Sequence, residues 1–132
     1  MQAFRDAVEA ADHEAMERLL AEDVVFRSPV AFKPYSGRPV TAGILRAVFR
    51  VFEDFRYVRQ IDDGDDHVLV FVFEAEINGR SVNGCDILHT NADGLIEEFT
   101  VMVRPLSAAN ALAERMATEF ALEMERMNTS AQ

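Results

Sequence analysis

The chain has 132 residues, of which 49% are hydrophobic and 27% are charged, and its formal net charge is −10. These values are ordinary for one globular domain of this length, so the composition suggests neither a disordered chain nor a fibrous repeat. The 13 Lys and Arg residues are spread along the chain without a cluster, which argues against nucleic acid as a partner. We predict a single domain over residues 1–132.

Cysteine and hydrophobic patterns indicate the environment of the protein. Cys85 is the one cysteine of the sequence, so no disulfide can form within the chain and a zinc site would lack its usual sulfur ligands. The first residues contain no apolar run long enough for a signal peptide or a membrane span. We therefore expect a cytoplasmic protein without a metal, a cofactor or a membrane partner.

The start of the chain predicts two helices within residues 3–21, because apolar residues recur there at helical spacing. Asp12 lies between them and suits the N-cap of the second helix. A short β-branched and aromatic run over residues 23–28 then predicts a strand, which Pro29 ends.

The segment over residues 29–39 is irregular but carries the large aromatic residues Phe32 and Tyr35. A solvated loop has little use for such side chains, so we expect them to fold over an apolar interior. Pro39 suits the first turn of a third helix, and one face of that helix is apolar. Its apolar residues are Ile44, Leu45, Val48, Phe49 and Phe52.

Four strands are predicted in the second half of the chain, over residues 57–61, 67–77, 81–90 and 95–104. Asp-Gly or Asn-Gly pairs separate them, and such pairs between alternating apolar runs are strong hairpin signals. The pairs are Asp63-Gly64, Asn78-Gly79 and Asp93-Gly94. An antiparallel meander follows from this spacing.

A final helix is predicted over about 107–127, followed by a disordered tail over 128–132. Its apolar stripe consists of Leu112, Met116, Phe120, Met124 and Met127, while Glu114, Arg115, Glu119, Glu123 and Arg126 take the remaining surface. The stripe must cover either the open end of its own domain or a partner subunit. The element order predicts an α+β fold in which helices pack against one face of a curved antiparallel sheet.

Two segments resemble the ketosteroid-isomerase-like and SnoaL-like proteins of the nuclear transport factor 2-like superfamily. One is the stretch from Leu20 to Pro29, followed by Gly37 and a helix, and the other runs from Gly84 to Ile96. The resemblance spans roughly residues 4–105. It implies a cone-shaped α+β barrel with an apolar pocket, and it implies that the outer face of the sheet forms a homodimer.

The resemblance also assigns roles to single positions. Ketosteroid isomerases use an aspartate just before the early proline as the base, with a tyrosine on the first helix and a protonated aspartate as oxyanion donors. In this chain Ser28 takes the place of the base, Phe4 that of the tyrosine, and Asp86 keeps the third position. A serine without a neighbouring base cannot abstract a carbon-bound proton, so the departure argues against steroid isomerisation.

Asp86 is the main candidate for a functional group, because strand alternation places it on the same face as Leu88, and the resemblance implies that this face lies inside the cone. A carboxyl among apolar side chains has a raised pKa and can act as an acid or a hydrogen-bond donor. The alternative is a structural carboxylate bonded to the backbone or to Ser28, which is itself the weaker catalytic candidate. The expected pocket residues, which could also simply pack a core, are Phe26, Phe32, Tyr35, Phe49, Phe52, Phe71, Phe73, Phe99 and Val101.

The histidines and the acidic turn favour no metal site. His89 falls on the opposite strand face from Asp86, and His13 lies at a helix start, so both are expected at the surface. His67 follows the acidic turn at residues 62–66, whose consecutive carboxylates do not converge on one ion without a defined loop.

Three functions remain open. The first is a binding protein for a small apolar molecule, and the second is an enzyme of the cyclase, isomerase or dehydratase type that uses Asp86 as its acid-base group. The third is a dimer whose interior is only a packed core. A homodimer through the outer sheet face is expected because Val70 and Val72 lie there among charged residues, where Glu side chains could pair with Arg104 of a second copy.

Overall fold

The computed structural model describes residues 2–65 and 67–130, with the side chain of Ser130 excepted. The helices within this part of the chain are α1 Gln2–Glu9, α2 His13–Arg18, α3 Arg38–Val51 and α4 Leu106–Ser130. The strands are β1 Leu20–Arg27, β2 Tyr35–Ser36, β3 Glu53–Asp62, β4 Val68–Ile77, β5 Arg80–Thr90 and β6 Ile96–Arg104.

The six strands form one open, curled sheet in the order β2-β1-β6-β5-β4-β3, and the helices pack on it, so the predicted α+β class is confirmed. The predicted meander is present as the antiparallel pairs β3–β4, β4–β5 and β5–β6. The sheet is nevertheless mixed, because β1 pairs with β6 in parallel. A parallel pair needs a long connection between its strands, and all of the elements between β1 and β6 supply it.

Strand alternation explains where the core lies. Along β4, the buried side chains alternate with half-buried ones, and the buried set is Leu69, Phe71, Phe73, Ala75 and Ile77. This set forms the inner face, on which the helices lie. The β4–β5 turn is at Asn78 and Gly79, whose positive φ values of 51° and 78° are those that a two-residue hairpin turn requires.

The structure corrects the prediction for the start of the chain. Asp12 caps α2 as expected, since its carboxylate accepts a hydrogen bond from the backbone N–H of Ala15 at 3.0 Å. The helix ends at Arg18, however, and Leu20 and Ala21 belong to β1. Their apolar pattern fits helix and strand equally, and pairing of Leu20 with Ile96 of β6 decides for the strand.

The C-terminal helix is longer than predicted. It begins at Leu106 and continues through residues 128–130, which were expected to be disordered, while residues 131–132 lie outside the described part. It packs along α3 of its own chain, and this contact stabilises the last turns. Among the described helices, α4 included, none is long and apolar enough to cross a membrane.

Candidate functional site

A pocket of about 250 Å³ lies between the inner sheet face, α3 and α4. The sheet supplies seven residues to its wall, namely Phe26, Tyr35, Phe55, Phe73, Asp86, Phe99 and Val101, and the neighbouring segments supply Ser28, Pro29, Val30 and Phe52. Helix α3 supplies Ile44, Leu45, Val48 and Phe49, and α4 supplies Leu112, Ala113, Met116, Ala117 and Phe120. The polar side chains among these described residues are Ser28, Tyr35 and Asp86, so the wall is almost wholly apolar.

Interlocked aromatic rings build one side of this pocket. Phe55 stacks on Phe73 with ring centroids 4.9 Å apart, and it meets Phe49 edge to face at 5.2 Å. The Phe73 ring lies directly on the backbone of β5, because a Cβ atom at Gly84 would lie only 2.5 Å from it and 2.6 Å from the carbonyl oxygen of Met102. The missing side chain at Gly84 therefore leaves room for this ring at the base of the pocket.

Asp86 is the one carboxyl among the described residues of the wall. It lies in the middle of β5, opposite Phe71 of β4 and Val101 of β6, and its side chain is 5% exposed. Burial raises its pKa from an ordinary 3.8 to about 7, although a hydrogen bond from Tyr57 acts in the other direction. A substantial fraction of Asp86 is therefore protonated at neutral pH.

Tyr57 holds this carboxyl in place. Its hydroxyl donates a hydrogen bond to Oδ2 of Asp86 at 3.2 Å, and its side chain is buried. Burial, together with the negative charge of Asp86, raises the pKa of Tyr57 well above its ordinary value, so the phenol remains a donor. The guanidinium of Arg5 lies 5.9 Å from the centre of the Tyr57 ring.

The partner of Asp86 differs from the sequence-based alternatives. Ser28 lies on the pocket wall, but its Oγ accepts a hydrogen bond from the backbone N–H of Val30 at 3.1 Å. Phe4, at the position that corresponds to a tyrosine in ketosteroid isomerases, is fully buried and packs edge to face on Phe99 at 5.5 Å. The hydroxyl beside Asp86 thus comes from β3 rather than from the first helix.

Tyr57 was missed because its strand was predicted to begin there, whereas β3 begins at Glu53. Phe55 and Tyr57 are two residues apart, which is the spacing of one strand face, and this was the available signal. Phe55, Met116, Phe120 and the α3 residues Ile44, Leu45 and Val48 were likewise not predicted as pocket residues.

Seven of the nine predicted pocket residues line the pocket, namely Phe26, Tyr35, Phe49, Phe52, Phe73, Phe99 and Val101. Phe32 does not, because its side chain is fully exposed on the loop before β2. Phe71 is fully buried and packs against Tyr57 and Phe4, with ring centroids 5.2 and 6.2 Å apart. Helix α1 covers that part of the inner face, so Phe71 belongs to the packed core.

The histidines lie apart from Asp86. His89 is on the outer face with Nδ1 3.8 Å from a carboxylate oxygen of Glu98, and His13 is the first residue of α2. In the acidic turn, the Asp63 carboxylate accepts backbone N–H groups of Asp65 and His67, while Asp66 lies outside the described residues. Among the residues that the structure describes, no group of three or more His, Cys, Asp or Glu side chains could hold a metal ion.

Known families and structures resemble this chain over most of its length. The family model of the SnoaL-like domain matches residues 1–99. A crystal structure of a steroid delta-isomerase from Pseudomonas aeruginosa is 41% identical, covers 92% of this chain and 89% of its own, and superposes with a TM-score of 0.87.

Two further structures have the same fold. An uncharacterised protein with a cystatin-like fold from Silicibacter pomeroyi is 32% identical, with 89% of this chain and 82% of its own covered and a TM-score of 0.83. A putative SnoaL-like polyketide cyclase from Shewanella denitrificans is 13% identical, covers 86% of this chain and 93% of its own at a TM-score of 0.64, and supports the fold alone. No curated protein matches the chain.

Proposed function

The chain belongs to the SnoaL-like domain family, and from this premise we propose that it binds a small apolar molecule that carries one oxygen acceptor. The molecule occupies the pocket between the sheet, α3 and α4, and its oxygen accepts a hydrogen bond from the protonated carboxyl of Asp86. The observation that carries this proposal is a single carboxyl, 5% exposed, on the wall of an apolar pocket.

The position of Asp86 suits a donor to a ligand. The Tyr57 hydroxyl donates a hydrogen bond to Oδ2 of Asp86. The carboxyl proton can therefore lie on the other oxygen and be donated to a ligand. Asp86 is 5% exposed, and a hydrogen bond to a carbonyl is stronger at such a poorly solvated position than in water. An apolar ligand body gains from burial against these rings, and the one polar contact sets its orientation.

A second candidate is an enzyme in which Asp86 transfers protons. Two observations favour it: the raised pKa of Asp86 near the working pH of a cell, and the similarity to a protein described as a steroid delta-isomerase. The carboxylate form would take a proton from the carbon next to a ketone, leaving an enolate whose electrons come from the broken C–H bond. The resulting carboxylic acid would then return a proton to carbon.

Ser28 limits this second candidate. The residue before the early proline carries no carboxylate here, so one group would have to serve as both acid and base. Asp86 is the sole carboxyl on the described pocket wall, which makes it the group to test in both cases.

One probe, the two-ring ketone 2-tetralone, separates the candidates. Its affinity is measured by calorimetry between pH 6 and pH 9, and its deuterium uptake at carbon is followed by NMR in D₂O. If only protonated Asp86 binds, the affinity of the unchanged protein falls roughly a hundredfold by pH 9, because about 1% of a group with pKa 7 is protonated there.

Two variants at the same position complete the test. Asp86→Asn keeps a neutral donor, so it should bind at all pH values without the pH dependence, whereas Asp86→Leu should bind weakly throughout. Deuterium uptake that exceeds the protein-free rate and disappears in Asp86→Asn supports the enzyme, and its absence with binding intact supports the binding protein. A protein that shows no affinity for 2-tetralone, or equal affinity in Asp86→Leu, contradicts the role given to Asp86.

A further inference from the structure

We infer that α4 limits the size of the ligand, so that the pocket takes compounds of one or two fused rings and excludes four-ring compounds. This inference rests on the proposed function, because it requires that the pocket holds a ligand. It concerns the wall that α4 builds with Leu112, Met116 and Phe120.

The volume of the pocket carries the size limit. A protein cavity of about 150 Å³ holds one benzene ring, and pockets for drug-sized ligands span roughly 300–1,000 Å³. The pocket of this chain, at about 250 Å³, lies between these two. One ring leaves space unfilled, two fused rings suit the volume, and four rings exceed it while α4 stays in place.

The opposite walls of the pocket have little freedom to yield. Phe49, Phe52, Phe55 and Phe73 form an aromatic cluster with ring centroids 4.9–5.6 Å apart. Moving one of these rings disturbs its neighbours, because protein interiors are packed closely. A larger ligand would therefore have to find its room on the side of α4.

On that side two long side chains occupy the space. Met116 and Phe120 are half-buried, and Phe120 meets Tyr35 edge to face at 5.6 Å, which joins α4 to β2 across the pocket. The helix itself is fixed beyond these residues, since Glu123 is ion-paired with Arg46 and Arg50 of α3. The anchored helix thus holds Met116 and Phe120 against the pocket.

The position of α4 along the chain supports its role in selection. The family model matches residues 1–99, and α4 begins at Leu106. The part of the chain that carries the family pattern therefore supplies Asp86 and the aromatic cluster, and a segment outside that pattern supplies the remaining wall. A wall outside the residues that the family model matches can change the choice of ligand without changing the polar group that holds it.

Two phenols with the same polar end and different ring numbers test the inference: 2-naphthol has two rings and estradiol has four. Affinities are measured for the unchanged protein and for Met116→Ala/Phe120→Ala, with Phe120→Leu as a milder variant. Leu122→Ala, on the exposed side of the same helix, is the matched control. Circular dichroism melting shows that each variant is folded.

We expect the unchanged protein and the Leu122→Ala control to prefer 2-naphthol by at least about tenfold, and the double variant to gain at least about tenfold for estradiol. Phe120→Leu should change in the same direction by less. Equal binding of both phenols by the unchanged protein, or no gain for estradiol in either folded variant, overturns the size limit and leaves the proposed function standing. If neither the unchanged protein nor any variant binds either phenol, both the size limit and the proposed function are overturned.

Discussion

Two carboxyls with no or almost no exposed surface, Asp86 and Glu123, have pKa values shifted in opposite directions. Burial would raise the pKa of each. For Glu123 the hydrogen bonds from Arg50 and Arg46 outweigh it, so its pKa lies below the ordinary value. Asp86 has only the neutral hydroxyl of Tyr57 as a described side-chain partner, and burial dominates. Glu123 is thus an ion-paired anchor, and Asp86 is an acid held in an apolar environment.

The raised pKa of Asp86 predicts a particular dependence of stability on pH. Between the unfolded value of 3.8 and the folded value of about 7, folding takes up a proton. The free energy of unfolding therefore falls as pH rises through this window. Asp86→Asn lacks this titration, so it should match the unchanged protein near pH 4 and exceed its stability at pH 8 by about 1–4 kcal/mol, since one pKa unit corresponds to about 1.4 kcal/mol.

Urea unfolding of both proteins at several pH values measures this difference, and comparing them at each pH cancels the titration of Glu123 and other groups. Asp93→Asn, at an exposed turn, should follow the unchanged protein at every pH. Parallel curves for the unchanged protein and Asp86→Asn would show that Asp86 is ionised in the folded state as easily as in the unfolded one.

Single residues also show how far the sequence can predict the site. Alternation along one strand placed Asp86 on the face of Leu88, because that rule is local, and the family resemblance identified this face as the inner one. Its partner Tyr57 was missed because the strand was predicted to begin there, which left out Phe55, the preceding residue of the same strand face. Glu123 was expected in solvent, and only the arrival of Arg46 and Arg50 from a helix 70 or more residues earlier makes its burial possible.

Elements show the same division between local and distant causes. The turns at Asn78-Gly79 and Asp93-Gly94 were readable because glycine allows the positive φ of 78–79° found there. The apolar stripe predicted the existence of the final helix, but the sequence did not predict how far the helix extends or that it packs on α3. Its last turns lie on α3 at Gly43, where a Cβ atom would come within 3.1 Å of the Met127 sulfur. That close approach depends on tertiary structure.

The contact of α4 with α3 depends on Glu123, and this predicts the effect of a small substitution. Its carboxylate bonds Arg50 at 2.7 Å and Arg46 at 3.2 Å, and it also contacts Arg126. Glu123→Gln removes the anion that the three arginines share, while Arg50 keeps Glu119 at 3.0 Å and Arg46 keeps Glu17 at 3.4 Å. The loss should be about 1–3 kcal/mol, below the 3–5 kcal/mol of a fully buried pair, because the arginine side chains are 27–59% exposed.

Urea unfolding at pH 7 measures the loss, and Glu125→Gln, exposed on the same helix, serves as the control that should change little. Because folding lowers the pKa of Glu123, its contribution to stability depends on pH in a definite direction. The contribution is present above the unfolded pKa of 4.5 and disappears as pH falls through the lower folded pKa. A variant as stable as the unchanged protein at pH 7 would mean that the cluster contributes nothing to holding α4.

At the scale of the whole molecule, the outer sheet face remains without a cover in the chain described. Val58, Ile61 and Met102 are 50%, 52% and 54% exposed, and Val70 and Val72 beside them are half-buried. Register places Val72, Cys85 and Met102 side by side across three strands. Two of the Glu residues expected to pair with a second copy already form salt bridges within the chain, Glu74 with Arg56 and Glu98 with Arg27.

We propose that a second copy of the chain covers this face, and the prediction follows from its apolar strip and from the charge of the molecule. An exposed apolar strip rimmed by charged residues is typical of an interface. Each copy carries a net charge of −10, so two copies repel one another and the association should strengthen as salt screens that repulsion. Met102→Glu adds a further anion where the two copies would meet, and because Met102 is 54% exposed, the substitution should leave the single chain folded.

Sedimentation equilibrium should find a dimer at micromolar concentration for the unchanged protein and for Leu122→Glu on the exposed side of α4, but a monomer for Met102→Glu. A monomer in all three, or a dimer that Met102→Glu does not weaken, would mean that this face is not the interface.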